Sequence, residues 1–292
     1  MPSEVITPHF LRAWPLPGAG VGKYGRGQVL VVGGAARTPG AAMLAAVAAL
    51  RVGAGRLTLA VARSVAGQVA VALPESGVEA LAEDDDGHVA VGAIASVRAD
   101  LGSADAVLVG PGLDEPDGAR DLVRGLGGAV RDHTVVVLDA FALGVAADVV
   151  EELEPLRGRL VMTPNSGEAG RLLGRDTTDD HGVDGHAADA LEIAERYGAV
   201  VSFAGVVAAP DGRTWVMGTG SGGLGTSGSG DVLSGAITGL LARGADVDQA
   251  VVWATHVHAA AGDRLAVQVG PMGYLASELL AEIPRVLVEL GA

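Results

Sequence analysis

The chain has 292 residues, of which 49% are hydrophobic and 19% charged, and this balance excludes a disordered chain. Its 45 glycines follow no Gly-X-Y period, which excludes collagen, and the absence of cysteine excludes disulfides, thiolate nucleophiles and cysteine metal sites. The net charge of -15 repels nucleic acid and anionic lipid, so we expect neither as a partner.

The first residues show no basic region followed by an apolar stretch, and therefore no recognisable signal peptide. The longest alanine-rich run, residues 38–50, is shorter than the roughly 20 residues that a membrane-spanning helix needs. We therefore expect a soluble, cytoplasmic protein.

Short apolar runs alternate with helical stretches along the chain. We predict strands at residues 28–32, 56–61, 106–110, 134–138, 159–162, 199–203, 206–209 and 213–217. Helices are predicted at residues 40–52, 231–243, 246–266 and 273–290. Continuous apolar strands between helices are typical of an α/β fold with a mostly parallel sheet covered on both faces.

No change in composition divides the chain, so we expect a single domain over residues 1–292, with residues 1–20 as an extended N-terminal arm. The acidic stretches at 79–87 and 175–185 are predicted to be surface loops.

Unusual residues follow several predicted strands, where ligands bind in open α/β sheets. They are Gly33 and Gly34, then Gly110 and Gly112 in VGPGL, then Asp139, and finally the segment TPNSGE at residues 163–168. This common location predicts a binding site at one edge of the sheet.

The strongest single feature is GTGSGGLGTSGSGD at residues 218–231, in which seven of 14 residues are glycine. Backbone amides in such a loop form a nest for anions, and the helix that begins near Asp231 adds positive potential. Asp231 fits two interpretations, a helix N-cap or a general base facing a hydroxyl that attacks phosphate.

Two common phosphate-binding motifs are absent. No G-x-x-x-x-G-K-[ST] occurs, and no G-x-G-x-x-G opens a helix after the first strand. Lys23, the only lysine, is expected to contact phosphate or substrate rather than to act as a base. His256 and His258 point to different helix faces, so a metal pair is not expected, and His258 is placed behind the glycine loop.

The segment LGTSGSGDVLSG, residues 224–235, resembles the signature of the ATP/ADP-dependent NAD(P)H-hydrate dehydratases, which belong to the ribokinase-like superfamily. The segments KYGRG (23–27), VGPGL (109–113), TPNSGE (163–168) and HAAAGD (258–263) resemble further family segments in the same order. The resemblance covers residues 20–290 and implies a ribokinase-like three-layer α/β/α fold.

The resemblance also implies a reaction. The family transfers phosphate from ATP or ADP to the hydroxyl of hydrated NADH or NADPH, after which phosphate leaves and the double bond returns. Asp231 would be the catalytic base and Glu168 would order Mg²⁺ through water. Substrate contacts are expected from Ala41, Ala42, Gly110, Gly112, Asn165 and Asp231. Nucleotide contacts are expected from Ser202, Phe203, Ala204, Gly205, Val206, Thr226, Gly228, Ser229 and Gly230. A homo-oligomer, specifically a tetramer, is expected.

Three departures from the family pattern predict a weaker or altered nucleotide site. Phe141 stands where the family has a second carboxylate, Ala204-Gly205 replaces a lysine-glycine pair, and Asn165 replaces a histidine. Two other functions therefore stay open. One is a small-molecule kinase of the same superfamily, and the other is a nucleotide-binding homologue with weakened or lost catalysis.

Overall fold

The computed structural model describes residues 3–18, 20–177, 182–220 and 222–292. Within these ranges the strands β1 to β10 lie at Glu4–Ile6, Gln28–Val32, Arg56–Ala62, Gly77–Leu81, Ala106–Val109, Val135–Leu138, Leu160–Met162, Ala199–Phe203, Val206–Ala208 and Thr214–Met217. The helices α1 to α12 lie at Pro8–Ala13, Pro39–Arg51, Arg63–Ala72, Arg98–Leu101, Pro116–Leu126, Phe141–Ala146, Val150–Leu153, Ser166–Leu173, Gly182–Tyr197, Ser229–Ala242, Val247–Gln268 and Ala276–Leu290.

The strands form one sheet in the order β1-β10-β9-β8-β7-β6-β5-β2-β3-β4. Only β9 runs antiparallel to its neighbours, and every other pairing is parallel. The predicted mostly parallel sheet is therefore confirmed. Its central strands are buried on both faces, which explains why they appear in the sequence as continuous apolar runs.

Two hydrophobic cores lie on opposite faces of the sheet. In β2, Val29 and Val31 belong to one core, and Leu30 and Val32 to the other, as the two-residue period of a strand requires. Helices α2, α10, α11 and α12 contribute to the first core, and α5, α6, α8 and α9 to the second. This arrangement is the three-layer α/β/α architecture that the resemblance implied.

Helices α2 and α10 pack closely because glycines on α10 face α2. A Cβ at Gly235 would lie 2.1 Å from the carbonyl oxygen of Ala45, and one at Gly239 would lie 2.5 Å from that of Ala49. Any larger side chain would push the helices apart. This contact fixes the N-terminus of α10, and thus the glycine loop before it, against the sheet.

Three sequence predictions differ from the observed elements. Residues 1–20 do not form an extended arm throughout, because Glu4–Ile6 pairs in parallel with β10 and Pro8–Ala13 is helical. The predicted loop at 79–87 overlaps β4, whose short, largely exposed pattern at the sheet edge lacks a strong apolar signal. The predicted loop at 175–185 overlaps α9, which begins at Gly182, while residues 178–181 lie outside the described ranges.

Among the described residues, no helix is both long enough and apolar enough to cross a membrane.

Candidate active site

The site lies at the carboxyl ends of β2, β5, β6 and β7, which are neighbours in the sheet. The loops after β2 and β5 hold each other through backbone hydrogen bonds. The Gly34 amide donates to the Pro111 carbonyl at 2.8 Å, and the Ala35 amide donates to the Gly112 carbonyl at 2.7 Å. Sequence reasoning placed the unusual residues at this edge, and the structure brings them together there.

Three acids form a carboxylate cluster at this edge: Asp139, Glu168 and Asp231. Asp139 follows β6, is 4% exposed, and accepts a 2.8 Å hydrogen bond from the Thr163 hydroxyl. Burial raises its pKa above the usual range, although hydrogen bonds from Ser234, Thr163 and the Ala140 amide oppose the shift. A buried acid at this position adds to the local negative potential whenever it is ionised.

Asp231 lies in the first turn of α10. Burial raises its pKa to about 7, and the charges of Asp139 and Glu168 add to the shift. The N-cap position itself is occupied by Gly228, so Asp231 is not the N-cap that one sequence interpretation made it. Its carboxylate is therefore a group whose protonation changes near neutral pH, as a general base requires.

Glu168 begins α8 together with Asn165. The Asn165 side chain accepts from the Glu168 amide at 2.9 Å, and Glu168 Oε2 accepts from the Asn165 amide at 2.9 Å. This reciprocal pair is a capping box, which satisfies two amides at the helix N-terminus. Burial raises the pKa of Glu168 to about 7, the Asn165 amide opposes this, and Asp139 adds to it.

The glycine loop ends in the first turn of α10. Gly228 has φ +88°, and a Cβ there would lie 2.6 Å from the Leu44 side chain, so only glycine fits. The Ser229 amide donates to the Thr226 carbonyl at 3.2 Å and is not free for an anion. The predicted contact between Ser229 and the nucleotide stays a prediction. The amides of Gly228 and Gly230 have no acceptor among the described residues.

His258 lies directly behind the loop, as the sequence predicted. Its Nε2 is 3.0 Å from the Ser229 hydroxyl, and both side chains are buried. Burial lowers the pKa of His258 to about 4, so the ring is neutral at pH 7. A neutral ring and a hydroxyl share one hydrogen bond here, and this bond fixes the first residue of α10.

A cavity of about 450 Å³, named here the nucleotide cavity, opens between the glycine loop and the β8–β9 hairpin. Its walls include seven residues that the sequence assigned to ligand contacts: Asn165, Ser202, Ala204, Gly205, Val206, Ser229 and Gly230. A Cβ built on Gly230 meets nothing within 4 Å, so space for a ligand exists beside its amide.

Some residues that line the cavity were not predicted from the sequence to contact a ligand. Val183, Met217, Leu224, Thr255 and Ala259 also form the walls of the nucleotide cavity. Thr255 is the most informative, because its hydroxyl lies 3.0 Å from that of Ser202 and holds the end of β8. These residues sit in ordinary helices and strands, and only the folded chain brings them to the cavity.

Three other residues that the sequence assigned to ligand contacts have their side chain or Cβ position packed within the protein, and their contacts with a ligand stay predictions. Phe203 points to the opposite face of the sheet from the cavity and packs on His186, with ring centroids 5.2 Å apart. Ala42 is fully buried in helix α2, which begins at Pro39, so its side chain cannot touch a substrate. Gly110 is buried as well, and a Cβ there would lie 1.8 Å from the Asp139 carbonyl oxygen. Each is a packing position.

Four other predicted residues lie near the edge without lining the nucleotide cavity. The Gly112 carbonyl accepts from the Ala35 amide and, at 2.8 Å, from the Thr38 hydroxyl. Ala41 is half-buried in the first turns of α2, Thr226 supplies its carbonyl to the Ser229 amide, and Gly228 caps α10. Their contacts with a ligand stay predictions.

Lys23 is far from this edge. Its backbone packs against Gly55, immediately before β3, and its ammonium lies 5.4 Å from the Tyr24 ring centroid. The site is at the other end of these strands, and a five-residue strand is about 16 Å long. The expected contact between Lys23 and the phosphate or substrate of the same chain is therefore wrong.

The residues present suit a Mg²⁺ ion held largely through water. No group of three His, Cys, Asp or Glu side chains within the described ranges forms a direct metal cage. Mg²⁺ keeps several waters and needs only one or two carboxylates together with substrate phosphates. Glu168 uses Oε2 for the capping box, which leaves Oε1 to accept from a metal-bound water.

A family model described as NAD(P)H-hydrate dehydratase matches residues 29–285 of this chain. The chain belongs to the NAD(P)H-hydrate dehydratase family. It is 44% identical to an ADP-dependent (S)-NAD(P)H-hydrate dehydratase from Xanthomonas campestris pv. campestris, over 98% of this chain and 97% of that protein. It spans about half the length of the bifunctional NAD(P)H-hydrate repair enzymes that it also matches.

Solved structures agree with this membership. The ADP/ATP-dependent NAD(P)H-hydrate dehydratase from Bacillus subtilis, co-crystallised with ATP/Mg²⁺, is 28% identical with a TM-score of 0.80, over 99% of both chains. A ribokinase-like superfamily protein from Enterococcus faecalis V583 is 19% identical with a TM-score of 0.80, over 99% of this chain and 96% of that one. The ribokinase-like fold is thereby confirmed.

Proposed function

We propose that this member of the NAD(P)H-hydrate dehydratase family repairs hydrated NADH and NADPH, with ADP or ATP as phosphoryl donor and Mg²⁺ as the metal. The observation that carries the proposal is the position of Asp231. Asp231 lies in the first turn of α10, next to Gly230, whose amide has no acceptor among the described residues, and burial raises the pKa of Asp231 to about 7.

The first step forms a bond between the hydrate hydroxyl oxygen and the terminal phosphorus, while the bond from phosphorus to the departing nucleotide oxygen breaks. Asp231 accepts the hydroxyl proton. The amides of Gly228 and Gly230 and the N-terminus of α10 face the phosphoryl oxygens, where such donors stabilise developing charge. The carbon–oxygen bond then breaks, phosphate leaves, and loss of a ring proton restores the double bond.

The adenine nucleotide would occupy the nucleotide cavity, with its phosphates toward Gly230. No lysine or arginine lines this cavity among the residues that the structure describes. Backbone amides therefore carry the protein's part of phosphate binding. Glu168 would hold Mg²⁺ through water, and the ion would supply positive charge to the transferring phosphoryl group.

The test is to incubate the protein with NADH hydrate, Mg²⁺ and either ADP or ATP, and to follow absorbance of the reduced nicotinamide. We expect recovery of NADH together with release of one phosphate per hydrate. A phosphorylated product that accumulates without NADH would instead indicate a small-molecule kinase. Nucleotide binding without any product would indicate a non-catalytic homologue.

Asp231→Asn distinguishes a base from a structural residue in the same assay. We expect nucleotide binding to persist and turnover to fall by at least 100-fold, the usual contribution of a general base. Asp132→Asn, a change at an exposed acid before β6, is the matched control and should keep full turnover. Full turnover by Asp231→Asn would contradict the proposed role.

A further inference from the structure

A cavity of about 350 Å³ lies at the end of the sheet opposite the carboxylate cluster, and we name it the basal cavity. Its lining includes Arg26 shortly before β2, Gly53 shortly after α2, and Arg243 directly after α10. Helix α10 begins at the active site and has 14 residues, so its other end is about 21 Å away at 1.5 Å per residue. The basal cavity shares no lining residue with the nucleotide cavity, and the proposed function leaves it unused.

The segment KYGRG, residues 23–27, brings Arg26 to this cavity. A Cβ on Gly27, which has φ +74°, would lie 1.9 Å from the Ala242 carbonyl oxygen, so the segment lies directly against the end of α10. A Cβ on Gly55 would lie 3.0 Å from the Cβ of Arg26, so the backbone before β3 packs against the same segment. These close contacts fix the position of Arg26 beside α10.

The two arginines that line the basal cavity have no carboxylate partner among the described residues. Arg243 donates to the Val52 carbonyl at 2.6 Å, which satisfies the C-terminus of α2, and to the Pro17 carbonyl at 3.5 Å. Arg26 makes no hydrogen bond, and no ion pair within 4 Å, to any residue that the structure describes. Burial and the charge of Arg26 lower the pKa of Arg243 below its usual range. The helix end thus accounts for Arg243, whereas nothing in the described structure accounts for Arg26.

The charge balance in the cavity differs from that of the whole chain. The sequence has 35 acidic and 20 basic residues, yet no aspartate or glutamate is among the described residues that line this cavity. Ala292 also lines it, but no ion pair within 4 Å joins a carboxylate there to Arg26 or Arg243 in the part of the chain that the structure describes. A single carboxylate would in any case leave one of the two positive charges unbalanced.

A phosphate group has the charge and the hydrogen-bonding pattern that these side chains require. A guanidinium presents its N–H donors in a planar fork that matches phosphate oxygens, and such charge-assisted hydrogen bonds are short and strong. Leu16 and Pro17 add an apolar part to the wall. A volume of about 350 Å³ is near the lower end for small-molecule sites, so a small organic group can accompany the phosphate.

We propose that the basal cavity binds a phosphate group, as free phosphate or as a small phosphate monoester, between Arg26 and Arg243. The bound anion would neutralise the two guanidinium groups and connect the C-terminal end of α10 to the segment before β2. This site is separate from the one that transfers phosphate, and its existence does not depend on the proposed function.

Calorimetry measures the affinity for inorganic phosphate and for glycerol 3-phosphate, with the nucleotide cavity filled by a saturating non-hydrolysable ATP analogue. We expect the wild-type chain to bind one phosphate, and potassium chloride at equal ionic strength not to replace it. Arg26→Gln and Arg243→Gln should each weaken binding about tenfold or more, because one charge-assisted hydrogen bond is worth about a factor of ten.

Arg56→Gln is the matched control. Its guanidinium lies at the same end of the sheet, 5.1 Å from the Tyr24 ring centroid, and does not line the basal cavity. We expect it to change the affinity for phosphate less than about twofold, because a contact rather than the general potential holds the anion. Tighter binding of glycerol 3-phosphate than of phosphate would support the monoester as the ligand, and equal binding would support free phosphate.

Arg26→Glu tests the same site through stability, and it keeps the test valid if Arg243→Gln fails to fold. The new carboxylate would supply the missing partner of Arg243. The variant should therefore melt at a higher temperature than the wild type in phosphate-free buffer, and added phosphate should raise the melting temperature of the wild type alone.

Three results would overturn the inference. The first is that the wild-type chain does not bind phosphate under these conditions. The second is that Arg26→Gln keeps the wild-type affinity, or that Arg56→Gln loses as much as Arg26→Gln. The third is that Arg26→Glu melts below the wild type and still responds to phosphate. Absence of NADH recovery in the turnover assay would contradict the proposed function and leave this result unaffected.

Discussion

At the scale of residues, Asp231 and Glu168 are ordinary acids in the sequence and become groups with a pKa of about 7 only through their surroundings. Burial is the larger cause for both, and the neighbouring carboxylates add to it. Such a site stores unfavourable charge that a ligand cation can relieve. The buried acids that the site needs for its chemistry therefore lower the free energy of unfolding.

Asp231→Asn should be more stable than the wild-type chain at high pH. The folded pKa lies above the unfolded value of about 3.8, so the wild type loses stability as pH rises from about 4 to about 7. We expect a gain on the order of 2 kcal/mol in the free energy of unfolding at pH 8, measured with denaturant, and almost no gain at pH 4. A gain that is equal at both pH values would contradict this explanation.

His258 has the opposite dependence. Its folded pKa of about 4 lies below the unfolded value of 6.5, so the unfolded chain binds the proton first and stability falls as pH drops through this window. The wild type should lose about 2 kcal/mol more than His258→Gln between pH 7 and pH 5.

Denaturant titrations at the two pH values measure this difference, and His9→Gln, at an exposed histidine, serves as the control. Identical losses for the wild type and His258→Gln would show that His258 is not held neutral behind the loop.

At the scale of elements, two glycines of the same loop have different physical roles. Gly228 has φ +88° and contacts Leu44, whereas Gly230 faces open space inside the first turn of α10. Gly228→Ala should destabilise the chain by about 1–3 kcal/mol, because the backbone and the packing both reject a Cβ.

Gly230→Ala should leave the stability unchanged or raise it by up to about 1 kcal/mol, since alanine is the better helix former. Its methyl group would nevertheless occupy the space beside the free amide, so nucleotide binding should weaken at least tenfold. Thermal unfolding and calorimetry with ADP measure the two effects. Unchanged ADP affinity would place the phosphates elsewhere.

The β8–β9 hairpin turns through Ala204 and Gly205, with φ of +48° and +78°, the signs that a two-residue turn of this kind requires. Ala204 is exposed and lines the nucleotide cavity, where the described residues include no lysine or arginine. Ala204→Lys should therefore lower the KM for ADP or ATP several-fold, an effect that weakens with added salt. Ala204→Gln, similar in size but uncharged, should leave the KM unchanged.

At the scale of the whole molecule, a homo-oligomer, and specifically a tetramer, stays a prediction. The last turn of α11 and the segment that follows it expose apolar side chains, among them Val267 at 89% and Met272 at 86%. Side chains of this kind are commonly buried between subunits. Light scattering at micromolar protein concentration should give a mass close to four times 29.0 kDa, and a mass of one chain would contradict the prediction.

The sequence by itself determined the fold class, most strand positions and the edge of the sheet that holds the site. The strands Gln28–Val32 and Ala199–Phe203 are buried on both faces of the sheet, so every one of their positions is shielded from water and they appear as continuous runs in the sequence. The bounds of both strands were predicted correctly. The motif that ends in Asp231 is local, so its position at the start of a helix is also a property of nearby residues. The edge strands β1 and β4 were not predicted, because their largely exposed residues do not form an apolar run.

Only the tertiary structure decided which residues of each motif face a ligand. The packing of α2 against α10 buries Ala42, the alternation along β8 turns Phe203 away from the cavity, and the strand direction sends Lys23 to the opposite end of the sheet. The raised pKa values of Asp231 and Glu168 likewise require acids that are distant in sequence to lie together in a low-dielectric environment. Sequence spacing carries no information about such distances, because they arise from the order of strands in the sheet.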